Sequence, residues 1–231
     1  MSDVKPTVLI LCGGLATRLG ALAEEMPKVL LPVGGRPFIE ILLDQVRRAG
    51  LTDVVLATGH LHEQVVDAVG DGGRLGLRVR YSREEHPLGT GGAVAAALGM
   101  LGEVFLVMNG DSYCACDLAV LAAQAAHAPV MVLTEVPSRG RYGTVEVADG
   151  RVTGFREKGA ASAGLINAGI YLLRRADFAA VTPGETVSLE RDLFPTWVPD
   201  ITAMVSEGCF VDIGTPESYA SVKEGLGDAG E

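Results

Sequence analysis

The stretch Thr7-Val8-Leu9-Ile10-Leu11-Cys12-Gly13-Gly14 decides the fold. It is an unbroken, uncharged run of strand length that ends in paired glycines. Such a run does not alternate apolar with polar, so it predicts a strand buried on both faces and opening into a tight loop. The next periodic stretch, Pro37 to Ala49, places Ile39, Leu42, Leu43 and Val46 at the i, i+3, i+4, i+7 spacing of an amphipathic helix. Pro37 suits its first turn and Gly50 its stop. Further along, Asp53 to Thr58 predicts a strand, Glu63 to Val69 a helix and Leu77 to Ser82 a half-exposed strand. An alanine-rich helix follows over Gly91 to Leu101, then a buried strand over Val104 to Met108. This alternation predicts a parallel β-α sheet with ligands at the carboxyl ends of its strands.

The rhythm then changes. Tyr142 to Val147 and Val152 to Arg156 flank Asp149-Gly150, a hairpin signal between alternating strands. Leu165 to Leu173 and Cys209 to Ile213 read as strands, Leu189 to Val198 and Glu217 to Leu226 as helices. No repeat and no linker rich in Pro, Ser or charge divides the chain. The expected fold class is α/β: a single Rossmann-like three-layer domain over 1–231 with a mixed, mostly parallel central sheet.

Composition narrows the partners. The 231 residues carry 19 basic and 29 acidic side chains, a net charge of −10. That balance argues against a protein that neutralises nucleic-acid phosphates or anionic lipid, so neither nucleic acid nor membrane is an expected partner. Any phosphate bound here must meet a few local cations. With 48 % hydrophobic and 21 % charged residues the chain has ample core. The most membrane-like stretch, Leu118 to Leu133, carries Gln124, His127 and Pro129 and falls short of a spanning helix. No signal peptide is visible, and Cys12, Cys114, Cys116 and Cys209 fit neither a disulfide framework nor zinc spacing. Free thiols in a cytoplasmic chain are the expectation. His60, His62 and Trp197 are assigned to loop and core, not to chemistry.

The chemistry-bearing residues begin where the first strand ends. Gly13 and Gly14 let backbone N–H groups approach an anion, Thr17 adds a hydroxyl, Arg18 a guanidinium fork and Lys28 a compact charge. The pattern is neither G-x-G-x-x-G nor G-x-x-x-x-G-K-[ST], so dinucleotide-fold and P-loop assignments lack their fingerprints.

Gly13-Gly14-Leu15-Ala16-Thr17-Arg18-Leu19 with Pro27-Lys28 resembles the signature of the sugar-1-phosphate nucleotidyltransferases. Four further segments resemble that family's motifs, in its order. They are Glu84-Glu85-His86-Pro87-Leu88-Gly89-Thr90-Gly91-Gly92, Asn109-Gly110-Asp111, Phe155-Arg156-Glu157-Lys158 with Asn167-Ala168-Gly169-Ile170-Tyr171, and Asp212-Ile213-Gly214-Thr215-Pro216. The match runs from about Val8 to Val222. Ala16 stands where glycine is common and Val29 where a second proline is common; neither removes a charge. Pro37-Phe38-Ile39-Glu40, Arg141-Tyr142-Gly143 and Gly164-Leu165-Ile166-Asn167 look most like the D-glycero-α-D-manno-heptose 1-phosphate guanylyltransferases within the family.

The resemblance implies attack of a sugar 1-phosphate oxygen on the α-phosphorus of an NTP. It also implies a nucleotide-binding half over about 1–115 and a sugar-binding half over about 116–225. Arg18, Lys28 and Asp111 would be catalytic. Leu11, Gly13, Gly14, Thr17, Arg18, Glu84, Gly89, Thr90, Gly110 and Asp111 would bind the nucleotide. Glu157, Lys158, Asn167 and Gly169 would bind the sugar phosphate, and Asp111 with Asp212 would hold Mg²⁺. Reactions of this kind rest on positioning and charge neutralisation. Glu84 predicts GTP, because an ionised carboxylate accepts both donors on guanine's Watson–Crick edge. A transferase for mannose, glucose or MurNAc 1-phosphate with another NTP is the alternative, as is a nucleotide-sugar sensor on the same fold. The sensor would be expected to lose Arg18, Lys28, Asp111 or Asp212, and all four are present. No hexapeptide repeats follow the last helix, so an appended left-handed β-helix is not expected. A monomer or homodimer is.

Overall fold

The run that opens the chain becomes an inner strand of a nine-stranded sheet. The computed structural model describes residues 5–14, 25–156 and 162–226. In chain order the first half holds β1 (Thr7–Leu11), β2 (Pro32–Val33), β3 (Arg36–Pro37), α1 (Phe38–Arg48), β4 (Asp53–Thr58), α2 (His62–Val69), β5 (Arg78–Arg83), α3 (Gly89–Ala97), β6 (Val104–Asn109) and β7 (Ser112–Cys114). The second holds α4 (Leu118–Ala123), β8 (Val130–Val136), β9 (Thr144–Ala148), β10 (Arg151–Arg156), β11 (Gly164–Arg174), α5 (Phe194–Trp197), β12 (Thr202–Ser206), β13 (Phe210–Asp212) and α6 (Pro216–Val222).

The sheet order is β5-β4-β1-β6-β11-β8-β12-β10-β9. Its first four strands are parallel, as the β-α rhythm predicts. β11 then joins β6 antiparallel and knits the two halves of the chain into one sheet. Beyond it only β8–β12 is parallel. Antiparallel pairings slightly outnumber parallel ones, five to four, so the sheet is mixed and not mostly parallel. The far end also departs from an open Rossmann-like sheet. β9 curls back to pair with β11 at Ile166↔Thr144, closing β11-β8-β12-β10-β9 into a ring. The β10–β12 seam of that ring is equally thin, at Arg151↔Thr202.

Alternation along β1 separates the two cores. Val8 and Ile10 pack with Phe38, Ile39 and Leu42 of α1, whereas Leu9 packs with Val94 and Ala97 of α3 and with Phe105. All are buried. The second core ends in an aromatic cluster in which the Tyr171 and Phe194 ring centroids lie 4.9 Å apart and Trp197 meets Phe194 edge-on. The predicted hairpin forms with Asp149 (φ 51) and Gly150 (φ 73) both left-handed, the geometry of a two-residue primed turn.

Three expectations shift. The helix read over Leu189 to Val198 opens as a π-helical turn, Leu189–Leu193, before the single turn of α5. The strand read over Cys209 to Ile213 is β13, which pairs with β7 and stands outside the main sheet. The helix read over Glu217 to Leu226 is the shorter α6. Among the described residues all four cysteines are free thiols, and no helix is long and apolar enough to cross a membrane.

Candidate active site

A cavity of about 430 Å³ opens at the carboxyl ends of β1 and β6. Leu11, Gly13 and Gly14 line it where β1 ends, Gly110 and Asp111 where β6 ends. Lys28, Glu84 and the start of α3 (Gly89, Thr90) complete the wall. The structure thus brings these sequence-predicted residues to one place, at the ligand-bearing edge of an α/β sheet. Thr17 and Arg18 lie outside the described residues, as do Glu157 and Lys158.

Close backbone approach builds the floor. The Gly110 N–H donates to the Leu11 carbonyl at 3.0 Å, and a Cβ on Gly110 would stand 2.5 Å from that oxygen. Only glycine lets β1 and β6 end side by side. On the opposite wall a Cβ on Gly13 would stand 2.5 Å from Glu84 Oε1, so that oxygen lies directly over the glycine loop. Glu84 Oε2 accepts the Leu88 N–H at 3.0 Å. Burial pushes the Glu84 carboxyl above its ordinary range, against the pull of the Leu88 N–H. Glu84 and Gly13 also face a second cavity of about 940 Å³, walled by His60, Leu61 and His62. Leu61 there is a non-glycine residue with φ 58.

The two acidic residues converge on one spot. Lys28 Nζ donates to Asp111 Oδ2 at 2.9 Å. The Ile213 N–H bonds to the Asp111 carbonyl at 2.9 Å, and β13 pairs Asp212 with Ser112. A Cβ on Gly214 would lie 3.1 Å from Asp212 Oδ1 and 3.9 Å from Asp111 Oδ2, so both carboxylates flank one point. Two carboxylates with no third acidic, His or Cys partner suit a hard divalent cation that completes its shell with phosphate and water. No cluster of three or more such side chains able to hold a metal occurs among the described residues.

Asp212 is itself tightly held. Its Oδ1 accepts the Gly214 N–H at 3.0 Å and the Ser218 hydroxyl at 3.1 Å. Its Oδ2 accepts Arg141 at 3.0 Å and a short hydrogen bond from the Tyr142 hydroxyl. Burial and that bond push the Tyr142 phenol up to about 12, so it stays a donor. Arg141 and Tyr142 entered the sequence analysis only within a resemblance. A basic-aromatic-glycine triplet just before a hairpin was the available signal.

Other predicted residues are committed internally. The Thr90 hydroxyl donates to Glu190 at 2.8 Å and accepts the Leu189 N–H at 2.8 Å, tying α3 to the π-helical turn. The Val187 carbonyl takes the Gly91 and Gly92 N–H groups, so those two face the chain and not a ligand. Asn167 donates to the Tyr171 hydroxyl at 2.7 Å and accepts the Gly169 N–H at 2.9 Å, bracing a bulge in β11. Neither Asn167 nor Gly169 lines the 430 Å³ cavity. Asn109 does, and its buried Oδ1 has no hydrogen-bond partner.

Residues 7–228 match the nucleotidyl transferase family. The D-glycero-α-D-manno-heptose 1-phosphate guanylyltransferase of Campylobacter jejuni is 35 % identical over 213 residues, covering 91 % of this chain and 96 % of that one. The mannose-1-phosphate guanylyltransferase of Mycobacterium tuberculosis is 36 % identical over 229 residues, covering 95 % of this chain and 64 % of that one. Among solved structures, HddC from Yersinia pseudotuberculosis complexed with GMP-PN superposes with a TM-score of 0.84 at 30 % identity, covering 95 % and 98 % of the two chains.

Proposed function

The chain belongs to the nucleotidyl transferase family, and from that premise we propose that it moves a guanylyl group from GTP to D-glycero-α-D-manno-heptose 1-phosphate. It is an enzyme of sugar-1-phosphate guanylyl transfer, which yields a GDP-sugar and pyrophosphate. The observation that carries the reading is the 430 Å³ cavity. Glu84 stands over the glycine loop at one end of it, and Lys28 on Asp111 at the other.

The acceptor phosphate is ionised at neutral pH, so the chain has no proton to remove. Its work is to align two polyanions and offset their charge. Glu84 faces the base, with Oε1 free to accept from guanine. Gly13 and Gly14 line the path of the triphosphate, and Arg18 would grip it. Lys28 stabilises charge at the reacting phosphate. Lys158 would meet the phosphate of the sugar, with Glu157 on its hydroxyls. Asn167 and Gly169 support that side through the β11 bulge. The family generally uses a divalent metal ion. Asp111 and Asp212 would hold it, we propose as Mg²⁺, and when bound it neutralises phosphate oxygens. The enzyme is proposed to act in the cytoplasm, as a monomer or homodimer.

Pyrophosphate release across GTP, ATP, CTP and UTP, each with heptose, mannose and glucose 1-phosphates, tests the assignment. GTP with the heptose 1-phosphate is expected to give the highest kcat/KM. A mannose 1-phosphate optimum would move the acceptor, and no release from any pair would end the reading.

A further inference from the structure

Both carboxylates proposed for the metal carry a cation of the protein's own. Lys28 sits on Asp111 and Arg141 on Asp212, so two acids are balanced by two bases at one spot. Lys28 has a place in the reaction, whereas Arg141 has none. Its guanidinium donates to Asp212 Oδ2 at 3.0 Å, to the Tyr142 hydroxyl at 2.7 Å and to Thr215 at 3.2 Å. It also lies 5.2 Å from the Tyr142 ring centroid. The Arg141 side chain is 49 % exposed and that of Asp212 16 %. The pair faces water on the arginine's side, which screens its attraction, and Asp212 keeps three other donors, Gly214, Ser218 and Tyr142, if the guanidinium leaves.

The loop that bears Arg141 is pinned to Ser162 and Thr144 through Arg139. Arg139 donates from Nε to the Ser162 carbonyl at 3.0 Å, from another nitrogen to the Ser162 hydroxyl, and from a third to Thr144 at 3.0 Å. Arg139 and Arg141 share one loop, so these bonds also fix where the Arg141 backbone stands beside Asp212. The fork of a guanidinium matches phosphate as well as it matches carboxylate.

We propose that Arg141 is a substrate-binding residue held in reserve: it occupies Asp212 while the site is free of metal and turns to the phosphate of the sugar 1-phosphate when Asp212 is given over to the divalent cation. This rests on the reading of the site as a sugar-1-phosphate guanylyltransferase. The exchange keeps charge in balance, because each anion that loses a guanidinium gains a metal and the arriving phosphate gains the guanidinium.

The experiment compares wild type, R141A and R141K. Mn²⁺ binding is followed by electron paramagnetic resonance without substrates, and KM is measured for GTP and for the heptose 1-phosphate. R141A is expected to bind Mn²⁺ several-fold more tightly, since its competitor on Asp212 is gone. Its KM for the sugar phosphate is expected to rise roughly ten- to a hundredfold, with that for GTP within about threefold. R141K, which keeps the charge without the fork, should recover part of that KM and part of the competition, and it carries the test if R141A does not fold. Unchanged or weaker Mn²⁺ binding, or a parallel rise in both KM values, would overturn the proposal and leave Arg141 as a brace. The Mn²⁺ comparison needs no turnover. A wild type that binds Mn²⁺ but releases no pyrophosphate would refute the guanylyltransferase reading and with it Arg141's part in binding a sugar phosphate.

Discussion

Glu84→Gln replaces one carboxylate oxygen by an amide nitrogen and removes the charge. The Leu88 N–H demands an acceptor at the Oε2 position, 3.0 Å away. The glutamine oxygen will take that place, which turns its NH₂ over Gly13, where Oε1 now faces the cavity. Guanine then meets a donor where it needs an acceptor. One charge-assisted hydrogen bond is worth about 1.5–3 kcal/mol. Glu84 is half-buried and water competes with it, so the lower part of that range applies, about ten- to thirtyfold in kcat/KM for GTP. ATP offers an acceptor at N1 and should change by less than about threefold, so the preference for GTP collapses. The wild type should also respond to pH. Burial raises the Glu84 carboxyl, so it takes up a proton at a higher pH than an exposed glutamate. Since guanine needs the ionised form, kcat/KM for GTP falls as pH is lowered through that raised value, and E84Q is flat there. The group's own contribution to stability runs the other way and grows as pH falls. Pyrophosphate release with GTP and ATP between about pH 4.5 and about pH 8 decides the matter. An unchanged GTP-to-ATP ratio in E84Q would refute the base contact.

Lys28→Ala removes the cation on Asp111; turnover should fall roughly 10²–10³-fold, while water on the Asp111 side keeps the change in stability to about 1 kcal/mol. Turnover within a few-fold of wild type would show that Lys28 stabilises nothing in the reaction. Asp212→Asn keeps an acceptor for Gly214 and Ser218 but turns its NH₂ toward the Arg141 and Tyr142 donors, so turnover should drop by orders of magnitude with a stability loss of about 1–3 kcal/mol, and EDTA should abolish activity. Full activity after EDTA would remove the metal from the scheme. Tyr171→Phe leaves the half-buried Asn167 amide nitrogen without its acceptor beside a fully buried ring. The cost should be about 1–3 kcal/mol, a loss of roughly 2–10 °C in Tm, and an unchanged melt would mean the amide had found another partner.

The parallel half was legible because β1, β4 and β6 are apolar runs, β5 alternates, and α1 shows one apolar face. The second half was harder to read. β8, Val130–Val136, is buried on both faces and follows an alanine-rich helix, so alternation does not mark it and only Pro129 separates the two. β12 spans only five residues and gains its place from pairing with β8, not from local pattern. Ring closure through β9 depends on one long-range pair that no local preference encodes. At the site, the glycines and acids at strand ends announced themselves through motif and spacing. Thr90 and Asn167 carried the same signal, yet their polar atoms hold the chain to itself. Polarity at a strand end says that a partner is needed, not whether that partner is a ligand. Arg141 and Tyr142 act on a residue about 70 positions away, a distance across which sequence spacing carries no information.

Closing five strands on themselves leaves β5 as the terminal strand of the great sheet among the described strands. Unpaired backbone along such a margin invites another chain to add itself. Here the margin reads Arg-Val-Arg-Tyr-Ser-Arg. Arg78 and Arg80 share Asp53, and Arg83 reaches Glu63. A strand docking there would have to strip water from three guanidinium groups whose countercharges are already taken. In the crowded setting of its synthesis, the chain is thereby guarded against growing edge to edge into fibrils or sheets shared between copies.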